Sequence, residues 1–404
     1  MDHDTRLIQE SLSVAERRAG QLIRFFYTHL FWRRPELRNL FPREFDEQHD
    51  RLFAALTYAA AHIDEPATQE YLEQLGRDHR KFNVRYEHYA DVSASLLAAL
   101  RNICGHRWST AMEQAWRGAC DAITDAMKKG AHTSREGGEP RWWDARVLQV
   151  RRHTPRLAVL TLQPLLPYPH RAGQFACVQL PRCPRTWRPY SLAPASHSGG
   201  VLDLHVSKVA GGTLSTALVE RTERGDLLRL GPAMGTMTLP SKVSACPVFI
   251  GAGTGWAPLK SLVHELASRQ ASLSARVALV VRRPVDLYDA PYLHSLARSH
   301  PALHLTIIDN NHRTELPTAL RDLAAIPTTA DWAHSDFFVS GPPGFTHYVR
   351  AALMMSGIEA WRIRSDPLPA PSPHTTPTPG SHGDRFLLPR DPVWINPLHR
   401  PPGD

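Results

Sequence analysis

The hydrophobic period of this chain changes twice, and each change excludes a single uniform fold. Up to about residue 130 apolar residues recur every three to four positions. In DEQHDRLFAALTYAAAHID, Leu52, Leu56, Ala59 and Ile63 share one helical face, and in TQEYLEQLGRDHRKF, Tyr71, Leu75 and His79 step by four. From residue 142 the texture becomes VLQV, LAVLTL, FACVQL and VLDLHV, whose period near two predicts strands. From 247 it changes again. PVFI, a Gly-rich turn, the helical PLKSLVHELASR and the apolar VALVV read as strand, loop, helix, strand, the repeating unit of a parallel sheet. Each texture needs its own core, and 404 residues hold about three domains at roughly 150 residues each. The polar, Gly/Pro-bearing AHTSREGGEP (131–140) has the composition of a linker. The expected division is a helical domain over 1–133, a linker over 134–140, an antiparallel barrel over 141–240 and an α/β domain over 241–368. Residues 369–404 hold ten of the 34 prolines and predict a disordered tail.

Composition narrows the function classes. The formal charge is +8, yet 47 Lys and Arg are scattered among 39 acids without a basic block, so nucleic acid is not expected as a partner. No apolar run reaches the roughly 18 residues of a membrane span, and MDHDTRLIQE lacks the features of a signal peptide. A cytoplasmic protein without a membrane partner is expected. Five cysteines without a CxxC pair fit reduced thiols better than a disulfide framework or a zinc site.

One histidine on an apolar stripe, in a chain with 22 of them, is ordinarily a core residue. Its company alters that reading. RFFYTHLF carries Tyr27, RRPELRNLFP carries Phe41, EQHDRLFAAL carries Gln48 and Leu52, LGRDHRKF carries His79, and Tyr89 follows ten residues on. Taken in this order, the segment resembles the globin domain of flavohaemoglobins. The resemblance implies that His79 is the proximal ligand of a b-type haem and that Tyr89 supports it. It places Tyr27 and Gln48 on the distal side, with Leu52 one turn later and Phe41 stacked on the haem. The residue types suit that chemistry. Neutral imidazole is a good axial ligand, and a hydrogen bond to a charged oxygen ligand is worth roughly 1.5 to 3 kcal/mol. The family also backs its proximal histidine with a glutamate, and the matching stretch CDAITDAMKKGAHT contains none.

In the strand-rich part, GQF is followed by RPYSLAPA, which resembles the flavin-binding barrel of the ferredoxin-reductase superfamily. Arg188 would meet the FAD pyrophosphate, Tyr190 would pack on the isoalloxazine, and Ser191 would hydrogen-bond flavin N5. GGTLS (211–215) is similar to the second phosphate loop. There Gly212 permits close approach, and Thr213 to Ser215 open a helix whose free N–H groups face the anion. VFIGAGTGWAP resembles the nicotinamide-nucleotide turn of the same superfamily, with Gly251, Gly253, Thr254, Gly255 and Pro258 in register and a helix from Pro258. FFVSGPPGF resembles the second nucleotide loop, with Gly341 and Pro342 in place and Ser340 where cysteine is common. RSDPL resembles the terminal segment, with Asp366 for the usual glutamate and Leu368 for the usual flavin-stacking aromatic. Arg282 and Arg283 leave NADH against NADPH open. The whole is similar to a flavohaemoglobin in order as well as motif. It implies an NAD(P)H-dependent oxidoreductase of nitric oxide dioxygenase type, in which electrons pass from NADH or NADPH through FAD to haem and two NO plus two O2 become two nitrates per hydride. A globin-fused NAD(P)H oxidase or haem reductase is the rival enzyme reading. An oxygen sensor or carrier is the rival from another class, and the sequence offers it no output module.

Overall fold

The computed structural model describes residues 3–41, 66–194, 199–244, 246–269, 274–281, 286–309 and 334–366. The chain forms two compact units, the first running through Trp143 and the second beginning at Asp144.

The first unit is helical: α1 (His3–Glu16), α2 (Ala19–Arg33), α3 (Pro66–His79), α4 (Tyr86–Cys104) and α5 (Thr110–Glu136). Ser109 starts α5 by accepting the Met112 N–H at 3.1 Å, which satisfies one of the orphan donors of a first turn. The main core packs Leu22, Phe26, Tyr27 and Leu30 of α2 against Leu96 and Leu100 of α4 and Trp116 of α5. The indole N–H of Trp116 donates to Ser11 Oγ of α1 at 2.8 Å. A second cluster joins Leu72 and Leu75 of α3 to Ile123, Ala126 and Met127 of α5. These two helices cross with their backbones nearly touching. A β-carbon on Gly76 would lie 1.9 Å from the Met127 carbonyl oxygen, and one on Gly130 would lie 2.0 Å from that of Glu73. Only glycine permits that approach.

Helix α5 continues through Glu136, so the stretch expected to be a linker over 134–140 begins inside a helix. Ser134 is buried, and the Glu139 carboxylate accepts from Arg77 Nε and Nη2 at 2.6 and 3.0 Å. Arg80 donates to the Glu139 backbone carbonyl at 2.8 Å and to Ser134 Oγ. Composition alone made this stretch look free because its partners, Arg77 of α3 and Arg80 just beyond it, lie 62 and 54 residues earlier.

The second unit opens with a closed barrel of β1 (Trp143–Thr154), β2 (Leu157–Pro164), β3 (Phe175–Gln179), β4 (Arg188–Pro194), β5 (Leu202–Ser207) and β6 (Leu227–Met234). The strand order is β1-β2-β5-β4-β3-β6, and the paired strands run antiparallel. Leu160, Leu162, Leu192, Leu204 and Leu230 are fully buried, which accounts for the alternation in the sequence. A short helix, α6 (Thr213–Glu220), follows β5. The chain then builds a five-stranded parallel sheet from β7 (Val248–Ala252), β8 (Ala275–Val281), β9 (Leu303–Asp309), β10 (Phe337–Ser340) and β11 (Ile363–Arg364). Its order is β11-β10-β7-β8-β9. Helices α7 (Trp256–Arg269) and α8 (Ala290–Ser299) belong to the core on one face and α9 (Pro343–Met355) to that on the other. The three-part architecture, helical, antiparallel barrel and parallel α/β, is the one the sequence predicts.

Among the described residues no helix is long and apolar enough to cross a membrane. The five cysteines are free thiols. Burial raises the pKa of Cys104 and Cys183, and pushes Cys120 up to about 11.

The glycine crossing makes a prediction with an internal control. Gly130→Ala should destabilise the helical unit by about 3 kcal/mol, the upper part of the overpacking range, because the clash is with backbone. On the same helix, a β-carbon at Gly118 meets nothing within 4 Å. Gly118→Ala should therefore stabilise by up to about 1 kcal/mol from helix propensity. Chemical denaturation followed by far-ultraviolet circular dichroism reads both, and equal effects would remove the close crossing.

Candidate functional site

In the helical unit His79 ends α3 and its ring Nδ1 bonds the Leu75 carbonyl at 2.7 Å. A carbonyl can only accept, so Nδ1 carries the hydrogen and Nε2 keeps a lone pair, the tautomer of a ligating imidazole. Burial lowers the His79 pKa, against smaller opposing effects of Asp78 and the Leu75 bond, and favours the neutral ring. Phe82 meets it edge-on at 5.7 Å. Tyr27 of α2 is only 5% exposed. It stacks on Phe31 at 5.6 Å and meets Phe41 edge-on at 5.4 Å, so the fold brings Tyr27 and Phe41 together. Burial raises the Tyr27 pKa, which keeps its hydroxyl protonated. Tyr89 of α4 packs on the Leu72, Ile123, Ala126 and Met127 cluster; the hydrogen-bond acceptor of His79 is Leu75. Gln48 and Leu52 lie outside the described residues. The sequence reading passed over a buried ion pair beside His79, between Asp78 and Lys81. Its signal was the i, i+3 spacing of opposite charges.

In the barrel, Arg188, Tyr190 and Ser191 lie on β4, whose register against β3 pairs Val178 with Arg188, Ala176 with Tyr190 and Phe175 with Ser191. Arg188 Nη1 donates to the Trp187 carbonyl at 3.0 Å, and burial raises the Tyr190 pKa. Gly212 caps α6, which begins at Thr213. Ser215 Oγ accepts the Val209 N–H at 3.1 Å and donates to the Gly212 carbonyl at 3.2 Å. Its hydroxyl therefore closes the loop and holds the helix start in place.

The parallel sheet reverses its strand order between β7 and β10, and a crevice at such a switch point is the usual ligand site of open α/β sheets. Both glycine loops end there. Gly251 closes β7 beside Ala252, and Gly253, Thr254 and Gly255 form a single 3-10 turn leading directly into α7. That helix starts at Trp256, two residues before the expected Pro258. Gly341 and Pro342 lead from β10 into α9. A β-carbon on Gly255 would lie 2.3 Å from the Ser340 carbonyl oxygen, so the loops touch through backbone. Beside them runs a narrow cleft lined by Phe175, Ser191, Met237, Pro258, Ser340 and Asp366. It joins the β4 motif, both loops and the terminal segment in one place. Asp366 Oδ1 accepts the backbone N–H groups of Thr236 and Met237 at 2.9 and 3.2 Å. Arg282, Arg283 and Leu368 lie outside the described residues.

A globin family model matches residues 24–127, and an oxidoreductase FAD-binding domain model matches residues 153–238. Among curated proteins, the flavohaemoprotein of Bordetella pertussis is 28% identical over 390 residues, covering 89% of this chain and 96% of that protein. The flavohaemoprotein of Chromobacterium violaceum is 26% identical over 389 residues, covering 88% and 95%. Among solved structures, the flavohaemoglobin of Malassezia yamatoensis, with bound FAD and haem, superposes with a TM-score of 0.73 at 18% identity. That match covers 90% of this chain and 98% of the other, and shows the same fold.

The cleft carries a pH signature. Burial raises Asp366 to about 6, against the opposing pull of the two backbone N–H groups. Its folded pKa lies above its unfolded one, so its contribution to stability is fully present below about pH 3.8 and is lost as pH rises through about 6. Above pH 6 the buried carboxylate opposes folding. Two decades of proton affinity at about 1.36 kcal/mol each bound the effect near 3 kcal/mol. Asp366→Asn should therefore raise the melting temperature at pH 8 and leave it unchanged at pH 4. A gain of equal size at both pH values would show that Asp366 is not titrating in the fold.

Proposed function

This chain belongs to the flavohaemoglobins, a globin joined to an FAD-binding oxidoreductase, and from that premise we propose that it is a nitric oxide dioxygenase. The observation that carries the reading is the His79 tautomer. Nδ1–H is fixed on the Leu75 carbonyl at 2.7 Å and leaves neutral Nε2 for iron. Haem, when bound, supplies the iron that takes up oxygen, and FAD supplies a carrier that accepts a hydride and releases single electrons.

The chain's own residues do the rest. Tyr27 retains its proton because burial raises its pKa, so its hydroxyl would be a hydrogen-bond donor to a bound ligand and would not repel negative charge. Phe41, edge-on to Tyr27, fixes that ring and would offer an apolar surface to a bound haem. In the reductase, Arg188 and the start of α6 at Gly212 and Thr213 would hold the FAD phosphates, and Tyr190 and Ser191 would hold the flavin ring. The Gly251 to Gly255 turn and the Gly341–Pro342 loop would receive NADH or NADPH, and backbone contact between Gly255 and Ser340 holds the two loops close together. The proposed substrates are NO and O2, and the product is nitrate. In balance, two NO, two O2 and one NAD(P)H give two nitrates, one NAD(P)+ and one proton.

One observation favours a second reading, an NAD(P)H oxidase or haem reductase. Tyr89 sits in an apolar cluster, and Glu139, the first carboxylate beyond α5, is engaged by Arg77. Among the described residues no carboxylate hydrogen-bonds His79, whose Nδ1 partner is the Leu75 carbonyl, and the neighbouring Asp78 is paired with Lys81.

The test measures NAD(P)H oxidation by the full chain with O2, with and without NO. Nitrate at two per NAD(P)H, formed only with NO, supports the dioxygenase; equal rates with peroxide as product overturn it in favour of the oxidase. Tyr27→Phe should lower NO consumption by about ten- to a hundredfold, the worth of one charge-assisted hydrogen bond, while dye reduction by the flavin unit stays unchanged. His79→Ala should lose haem absorbance and keep FAD, and haem retention in that variant would refute the ligand assignment.

A further inference from the structure

Where the barrel packs on the parallel sheet, a chain of partly buried polar contacts runs from the glycine turn to strand β5. Trp256, the residue directly after Gly255, is only 2% exposed, and its indole N–H donates to Asp289 Oδ2 at 2.8 Å. Lys260, one turn along α7 and 3% exposed, pairs with the same oxygen at 2.9 Å and lies 4.1 Å over the Tyr292 ring. Asp289 thus fastens the turn before α8 to the start of α7. Its neighbour Tyr288 shares a hydrogen bond of 2.7 Å with Nδ1 of His205, on barrel strand β5. His205 follows Leu204, whose partner across the ladder is Leu192, the residue after Ser191. On the barrel side the neighbouring Asp203 accepts from Thr161 at 2.7 Å and pairs with Arg151 at 3.4 Å.

A junction of this kind is most simply filled with leucine and valine, which hold two surfaces together at many registers. Directional bonds between buried groups hold one register, because a shift breaks them at full desolvation cost. The two ends of this path carry the groups that would hold the nicotinamide and the flavin, and transfer between bound partners falls steeply with misplacement. We propose that the His205–Tyr288 hydrogen bond, continued through Asp289 to Trp256 and Lys260, is an interdomain strut that sets the distance between the nucleotide turn and the flavin strand. His205, Tyr288 and Asp289 are thereby positioning residues for hydride transfer. The strut rests on the reductase half of the reading above and is independent of what the haem does.

The test uses the full chain loaded with FAD and mixed anaerobically with whichever of NADH or NADPH the wild type oxidises faster. Tyr288→Phe and His205→Leu should each slow flavin bleaching by roughly tenfold, inside the hundredfold that a 1 Å misplacement can cost. Both should keep full FAD content, and the dissociation constant for NAD(P)+ by calorimetry should stay within about twofold, since the nucleotide's own contacts are untouched. The double variant should be no slower than either single, because both remove one bond. His205→Gln, which can still bond the tyrosine hydroxyl, should recover most of the rate. Unchanged bleaching in the singles, additive slowing in the double, or slowing that follows loss of FAD or of melting temperature overturns the strut. If NAD(P)H fails to bleach the wild-type flavin, the reductase reading falls and the strut with it. Bleaching in the wild type with any of the former outcomes removes the strut alone.

Discussion

Backbone pressed against backbone fixes both halves of this molecule. A side chain at Gly76 or Gly130 would occupy the same space as a carbonyl group of the facing helix, so the height of α3 over α5 is set by the absence of two methyl groups. His79 stands one turn beyond Gly76 on that helix. In the second unit the contact of Gly255 with Ser340 decides how closely the two glycine loops approach. Packing among larger side chains tolerates compensating exchanges, whereas a carbonyl cannot repack. The functional groups are therefore held to the least adjustable contacts in the fold.

Protonation states form the second organising theme. Several buried polar groups are held uncharged by their surroundings: His79 and His205 are lowered, Tyr27 and Tyr288 are raised, and burial is the leading cause in each case. Asp366 shows the cost of the opposite choice, a carboxylate kept beside two N–H donors in a cleft that disfavours its charge. Neutral groups offer hydrogen bonds and lone pairs at a lower desolvation cost than ions would.

The sequence made the three architectures legible because each has its own period, and it made the loops legible because GAGTGWAP and SGPPG place glycine where backbone must meet backbone. Tyr27, Phe41 and His79 were legible only as an ordered set. What escaped was long-range. His205 and Tyr288 are 83 residues apart, and no local pattern announces such a pair. Trp256 reads locally as one more apolar residue, although its indole N–H reaches Asp289. The stretch over 134–140 was misjudged for the same reason. Its composition is that of a free segment, yet Glu139 finds Arg77, 62 residues earlier. Strand period and turn chemistry are encoded within a few residues, whereas polar pairing across a core is visible only once the chain has folded.

The buried thiols give this chemistry a boundary. Sulfur reacts with oxidants and with nitrogen oxides chiefly as thiolate, and burial holds Cys104, Cys120 and Cys183 in the protonated form. A flavin and haem protein that handles oxygen is exposed first to its own leakage. At these three cysteines desolvation keeps the reactive thiolate scarce while leaving the sulfur in place. That protection comes from the same desolvation that built the core.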